Sequence, residues 1–367
     1  MPLSKIQDIG NQVTPNAGRR NIIINGAMQV AQRGDQASLT NGFTGVDRFR
    51  FISNGGAEVT GKQGGSSVST PENGFPNSLH IDVTTADTSI ASGDYALVRT
   101  IFEGKNLQNL KYGTSSAETL TLSFWVKSPK TGTHWVELFS YDSSEKNSAL
   151  YTVNSANTWE KKTVSFAGLT TTAIPNDNTA AILVQWFLMA GSSFTSGTHP
   201  GNVWHNTTAN RLPGQVNAVD STDNNFYLTG VQLEVGSAAT EFEHLSFGED
   251  LSLCQRYYWK HTAEDYGVNQ GATTSALSQW STTSAYGLMN FPVEMRAKPS
   301  GSYSDLSHFT LYVGGQTRTP TSWIMATRGG KWGTEHHLDW SSAITPAGGG
   351  WLRFQNTSGW YAYEAEL

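Results

Sequence analysis

From Thr119 to Lys127 the chain alternates strictly, with Leu120, Leu122, Phe124 and Val126 set between Thr119, Thr121, Ser123, Trp125 and Lys127. A period of two sends successive side chains to opposite faces of an extended strand, so this segment must lie in a sheet with one face buried. The same alternation recurs at Leu79, Ile81 and Val83 and at Val231, Leu233 and Val235. Ile182 to Met189 is apolar on both phases and suits a central strand. Turn-rich stretches separate these segments: 61–77, Pro175-Asn176-Asp177-Asn178 and 191–201. Asn21-Ile22-Ile23-Ile24-Asn25-Gly26, a β-branched run closed by Asn-Gly, predicts a first strand entering a hairpin. Short strands punctuated in this way predict an all-β chain whose main body is a β-sandwich or jelly roll.

One helix is predicted. Ser246-Phe247-Gly248-Glu249 fits the capping box, in which a serine hydroxyl and a glutamate carboxylate satisfy the free N–H groups of a helix start. Leu251, Cys254 and Tyr258, with Leu253 and Tyr257, follow at three- and four-residue spacing. Beyond it the chain turns to Trp, Gly, Ser and Thr, with strands expected at Tyr286–Phe291, Phe309–Val313, Trp323–Ala326, Trp351–Phe354 and Trp360–Glu364. The expected organisation is a weakly ordered arm at 1–18, a sandwich or jelly roll at 19–245, a short connector helix at 246–262 and a small C-terminal β-domain at 263–367.

Composition removes several functions. Charged residues are 15% of the chain, against about 25% in a typical soluble protein, so the surface is covered by uncharged polar groups and glycine. The net charge of −6 has no long run of one sign, which argues against a phosphate-neutralising nucleic-acid surface. Cys254 stands alone, so neither an internal disulfide nor a cysteine zinc cluster is open to the chain. The longest apolar segment, Ala180 to Gly191, is broken by Gln185 and falls short of the roughly 18 residues a membrane span needs. The first residues lack the apolar stretch of a signal peptide, so synthesis in a cytoplasm, without membrane insertion, is expected.

Three stretches resemble bacteriophage tail-fibre and related virion proteins with a jelly-roll, carbohydrate-binding-like domain. The first is Asn21-Ile22-Ile23-Ile24-Asn25-Gly26-Ala27-Met28-Gln29 through Gln32-Arg33-Gly34, followed by Val46-Asp47-Arg48-Phe49. The second, most specific, is Phe226-Tyr227-Leu228-Thr229-Gly230-Val231-Gln232-Leu233-Glu234-Val235-Gly236, continuing into Thr240-Glu241-Phe242-Glu243-His244 and Cys254-Gln255-Arg256-Tyr257-Tyr258. The third is Phe291-Pro292-Val293-Glu294-Met295-Arg296-Ala297 with Ala365-Glu366-Leu367. The resemblance implies a jelly roll, a small C-terminal β-domain, homotrimeric assembly and a place on the outside of a virion. Gln29 stands where such modules often carry an acidic residue, so the resemblance brings no calcium site through that position.

No catalytic residue is assigned, and a non-enzymatic protein is expected. A G-x-S-x-G elbow is absent, Cys254 falls on the apolar phase of its helix, and Glu234, Glu241 and Glu243 belong to the stretches that carry the resemblance. His336 and His337, adjacent in a strand, should point to opposite faces, and no metal centre is assigned. No cofactor is expected beyond calcium, for which Asp220 and Asp223 in an oxygen-rich loop are the candidates, against a plain Asx-turn reading. Sugars offer flat C–H faces rimmed by hydroxyls, so the ligand candidates are Trp125, on the polar phase of its strand, and Trp204, His205 and Asn206 in a loop. Burial of either tryptophan against a neighbouring subunit is the alternative. The function read from the sequence is a virion fibre subunit, joined to other virion proteins through residues 1–18, that presents β-domains to host-surface glycans. A decoration or adaptor protein without a receptor role, or a glycan-degrading tailspike, are the rivals; deletion of 263–367 separates the first of these by its effect on host adsorption.

Overall fold

A computed structural model describes residues 19–65, 74–266, 273–325, 328–345 and 348–367; the arm expected at 1–18 lies outside them. The alternating segments build two six-stranded antiparallel sheets that share one core. In hydrogen-bonding order the first sheet runs Gln36–Leu39, Glu58–Gly64, Ser78–Thr85, Asn225–Val235, Leu120–Lys127 and Glu160–Phe166. The second runs Asn41–Phe43, Arg50–Ser53, Tyr95–Glu103, Ala180–Ala190, Gly132–Ser140 and Lys146–Val153. This is the expected jelly-roll sandwich, in an all-β chain. Leu120, Leu122, Phe124 and Val126 all point into the core, and Ala180–Ala190 lies centrally in its sheet, as a strand apolar on both phases should. Phe124 meets Trp186 of the facing sheet edge-on, with ring centres 5.9 Å apart. Truncating an aromatic so placed costs about 3–5 kcal/mol.

The run 21–26 is not the strand its composition predicts. It forms a buried turn with Asn25 at φ 60°, because two cores compete for its isoleucines. Ile23 enters the sandwich core, while Ile24 packs with Val30, Cys254 and Tyr257. Side chains replace the missing sheet partner. Asn21 Oδ1 accepts from the amides of Ile23 (3.0 Å) and Leu233 (3.1 Å), and Asn25 Nδ2 donates to the carbonyls of Val30 (2.8 Å) and Asp47 (3.1 Å).

The predicted capping box is present: Ser246 Oγ accepts from the Glu249 amide, and the Glu249 carboxylate accepts from the Ser246 amide at 3.0 Å. The helix covers only Phe247–Gln255, however. Tyr258–Thr262, expected within the connector, is an edge strand of a three-stranded sheet in the C-terminal module, whose central strand Trp360–Glu364 lies between it and Ser300–Tyr303. A seven-stranded sheet follows in the order Gln316–Arg318, Phe309–Val313, Gly349–Phe354, Thr273–Gln279, Ser284–Asn290, Gly333–Asp339 and Ser322–Ile324. Phe309–Val313 and Trp360–Glu364 match expectation residue for residue; Ala326, expected to end another strand, lies outside the described residues. The core of this module is aromatic, built on Trp259, Phe309, Trp323, Tyr361 and Tyr363 around the buried imidazole of His336.

The stretches that carry the sequence resemblance converge where the two modules join. Arg48 reaches across to the Glu366 carboxylate and lies over the Tyr257 ring at 3.4 Å, while Arg33 lies over Tyr258 at 3.6 Å. Arg256 grips the buried Glu103 carboxylate with two bonds of 2.8 Å, and the Tyr257 hydroxyl donates a third at 2.6 Å. Burial pushes Glu103 up, but these bonds outweigh it and hold the carboxyl below its usual range. Arg296 donates to the carbonyls of Ala365, Glu366 and Asn178. These residues clamp the sandwich to the C-terminal module.

Candidate functional site

On the second sheet the alternation that fills the core also decides what faces outward. Along Ala180–Ala190, Ile182, Val184 and Trp186 enter the core, and Leu183, Gln185 and Phe187 face away from it. Strand register then aligns one polar residue from each of five strands. Arg50 lies opposite Arg99, Arg99 opposite Gln185, Gln185 opposite Glu137, and Glu137 opposite Ser148. This polar rung is flanked by an apolar rung of Ile52, Leu97 and Phe187 on one side, and by Leu183 and Phe139 on the other.

Above these residues lies a groove of ≈ 280 Å³, with Tyr95, Phe139, Tyr141 and Arg211 among its walls. Tyr141 is 62% exposed. Glu137, fully buried beneath, accepts from Arg211 Nε (2.9 Å) and Nη2 (2.6 Å), Ser148 Oγ (2.9 Å) and Gln185 Nε2 (3.2 Å). A buried carboxylate is tolerated only with such a set of donors, and the guanidinium fork pins the 191–216 loop over one end of the face. Arg211 also lies 5.3 Å from the ring centres of Phe187 and Phe194. Arg99 differs from its neighbours: its buried Nε has no acceptor among the described residues. Burial, and then the charge of Arg50, pull its guanidinium below its usual pKa. Unspent donors between apolar rungs suit a ligand with a hydroxyl edge and a C–H face.

The sequence candidates do not form one site. Trp125 lies half-buried on the outer face of the first sheet, beside Gly230, where a bulge with φ +57° interrupts pairing. Nearby on that face Tyr227 stacks on His80 at 4.3 Å and receives the Lys127 ammonium at 4.5 Å. Trp204 serves packing: its indole N–H donates to the Ala167 carbonyl at 2.7 Å and its ring meets Tyr112 edge-on. His205 pairs through its backbone with Lys146 at the edge of the second sheet and is not among the residues lining the groove. Burial lowers the pKa of its ring. Asn206 is exposed.

Asp220 is engaged by Lys130 Nζ at 2.7 Å and Asn224 Nδ2 at 2.8 Å, while Asp223 is exposed. Among the described residues no three His, Cys, Asp or Glu side chains gather as metal ligands. Two of the three carboxylates weighed for catalysis are engaged: Glu234 accepts from the amide and hydroxyl of Thr240, and Glu243 from the amides of Arg20 and Asn21, while Glu241 is exposed. Cys254 is fully buried, and burial raises its thiol pKa well above the usual value. His336 points inward and His337 outward, as strand alternation requires. Sequence reading missed Arg99, Glu137, Gln185 and Arg211. The available signal was a lone polar residue inside each of several apolar strands, Gln185 above all.

No protein-family model matches the chain, and no curated protein matches it. Solved structures similar to it include the enzymatically active domain of tailspike protein 4 of bacteriophage CBA120 (12% identity, TM-score 0.32), the match covering 59% of this chain and 21% of that one. A family 11 carbohydrate-binding module from Clostridium thermocellum, in complex with a β-1,3-1,4-mixed-linked tetrasaccharide, is 15% identical over 57% of this chain and 98% of its own, with a TM-score of 0.27. A cyclase from Fischerella sp. is 13% identical over 60% of this chain and 99% of its own, with a TM-score of 0.34. The chain thus spans about a fifth of the tailspike chain's length. Likenesses this distant transfer neither ligand nor activity.

Proposed function

We propose that the protein is a non-enzymatic bacteriophage fibre subunit that attaches to host-surface glycans through the groove on its second sheet. The observation carrying this reading is the groove floor where Arg99, its Nε without an acceptor among the described residues, lies with Gln185 in a polar rung between two apolar rungs, which matches the alternation of hydroxyl edge and C–H face on a pyranose ring. The residues lining the groove include no carboxylate, and Glu137 beneath it is committed to four donors. The pair of free carboxyl groups that glycoside hydrolysis uses therefore has no counterpart there. The sequence resemblance supplies the setting: a homotrimer outside a virion, with residues 1–18 holding it to other virion proteins. In such an assembly the groove is repeated, and weak contacts multiply into firm attachment.

The test is binding of the full chain to surface polysaccharides purified from candidate host bacteria, comparing the unaltered protein with Arg99→Ala. Losing a hydrogen bond from a charged donor costs about 1.5–3 kcal/mol, so affinity falls roughly tenfold or more. Equal binding by the variant, silence towards every host glycan, or release of cleaved oligosaccharide overturns the proposal.

A further inference from the structure

Among the described residues, half of the exposed large apolar side chains lie in the C-terminal module, and several stand on or beside the outer face of its seven-stranded sheet. Trp280 and Leu288 are each 76% exposed. Trp280 follows the strand Thr273–Gln279, fixed by a bond from its amide to the Ser284 carbonyl (3.0 Å). Its ring stands at 88° to that of Tyr286, and Tyr286 stacks on His337 at 4.5 Å. The two rings form an aromatic corner. Facing it, Arg328 and Glu335 are held as neighbours across a short hairpin by the bond from the Glu335 amide to the Arg328 carbonyl (2.7 Å). These four residues, with Ser278, enclose a pocket of ≈ 270 Å³.

We propose that this pocket is a second saccharide site, separate from the sandwich groove. Arg328 Nη1 and Glu335 Oε1 are 3.8 Å apart, too far for a hydrogen bond, so donor and acceptor both keep capacity for a ligand. Two adjacent hydroxyls on a sugar ring match this pair, one accepting from the guanidinium and the other donating to the carboxylate. The ring's C–H face then lies on Trp280. A protein partner fits less well. Interface cores are depleted of Asp and Glu, whereas this face sets the carboxylates of Glu335 and Asp339 among its aromatics. The inference goes beyond the groove proposal and stands or falls separately from it, because the two sites share no residue.

The experiment uses the full chain and a panel of gluco-, galacto-, manno- and N-acetylglucosamine oligosaccharides, titrated singly and followed by saturation-transfer NMR and tryptophan fluorescence. Trp280→Ala, Glu335→Gln and Arg99→Ala are compared with the unaltered protein. At least one oligosaccharide should bind with an affinity that falls tenfold or more in both Trp280→Ala and Glu335→Gln but is unchanged in Arg99→Ala. Trp280 is so exposed that its removal leaves folding intact, which near-UV circular dichroism checks. Binding that ignores both substitutions overturns the proposal, as does the absence of any bound sugar. A change in oligomeric state on Trp280→Ala without a change in sugar binding also overturns it and makes this face a subunit interface.

Discussion

Acid should loosen the C-terminal module through one residue. Trp323 Nε1 can only donate, and it lies 3.0 Å from His336 Nδ1, so that nitrogen must accept and the neutral imidazole carries its proton on Nε2; the Tyr363 hydroxyl lies 3.2 Å from both ring nitrogens. Protonating Nδ1 sets two donors against each other in a buried site. Burial lowers the His336 pKa from 6.5 to about 4. The unfolded chain therefore takes up this proton first. The stability involved is complete above about pH 6.5, is lost as pH falls, and levels off below about 4. Between pH 7 and pH 4.5 the loss is roughly 2–3 kcal/mol, at 1.36 kcal/mol for each pH unit of proton-binding difference. Native-state hydrogen exchange of the Gly333–Asp339 amides measures it directly, in the unaltered protein and in His336→Gln. The variant is less stable at both pH values, yet its exchange should lack this acid-dependent term. Identical pH slopes in the two proteins, or an NMR titration placing the His336 pKa near 6.5, would refute the reasoning.

At the joint between modules, Arg256→Ala strands the buried Glu103 carboxylate and should cost about 3–5 kcal/mol in urea unfolding, with partial recovery on adding Glu103→Gln. Asp47 should act in the opposite sense to His336. Burial raises its pKa from 3.8 to about 6, so its contribution is fully present below about pH 4 and is lost as pH rises through 6. Asp47→Asn should flatten that part of the pH profile, read from urea midpoints at pH 4 and pH 7. Gly230→Ala forces a side chain into φ +57° with its Cβ 3.0 Å from both Phe75 and Trp125, and should lower stability by about 1–2 kcal/mol, measured by thermal unfolding.

The parts of the fold that were legible are those decided within a few residues of chain. Leu120–Lys127 shows its buried face because side-chain alternation is a local geometric fact, and Ser246 with Glu249 marks a helix start because capping closes within one turn. The run 21–26 misled because its structure depends on Leu233, Asp47 and Cys254, far away in sequence. Gly333–Asp339 shows itself in the sequence only through the adjacent pair His336-His337 and not as a bounded strand, because its inward residues are Thr334, His336 and Leu338, of which only the last is apolar. Trp204 is a ligand candidate in sequence, with burial as the alternative, and its indole finds the Ala167 carbonyl, a partner that no local pattern announces. The groove was half visible. Gln185 interrupts an apolar strand in plain sight, but its alignment with Arg99 and Glu137 depends on pairings between Ala180–Ala190 and two strands earlier in the chain.

The most direct measurement follows the side-chain resonances of isotope-labelled protein as host-derived oligosaccharide is added. If the groove binds sugar, the Arg99 Nε–H and Gln185 amide signals shift and saturate with the affinity found for the whole protein, while the Trp125 indole signal stays still. Bound sugar that leaves Arg99 and Gln185 unmoved, or that is steadily cleaved during the titration, contradicts the account.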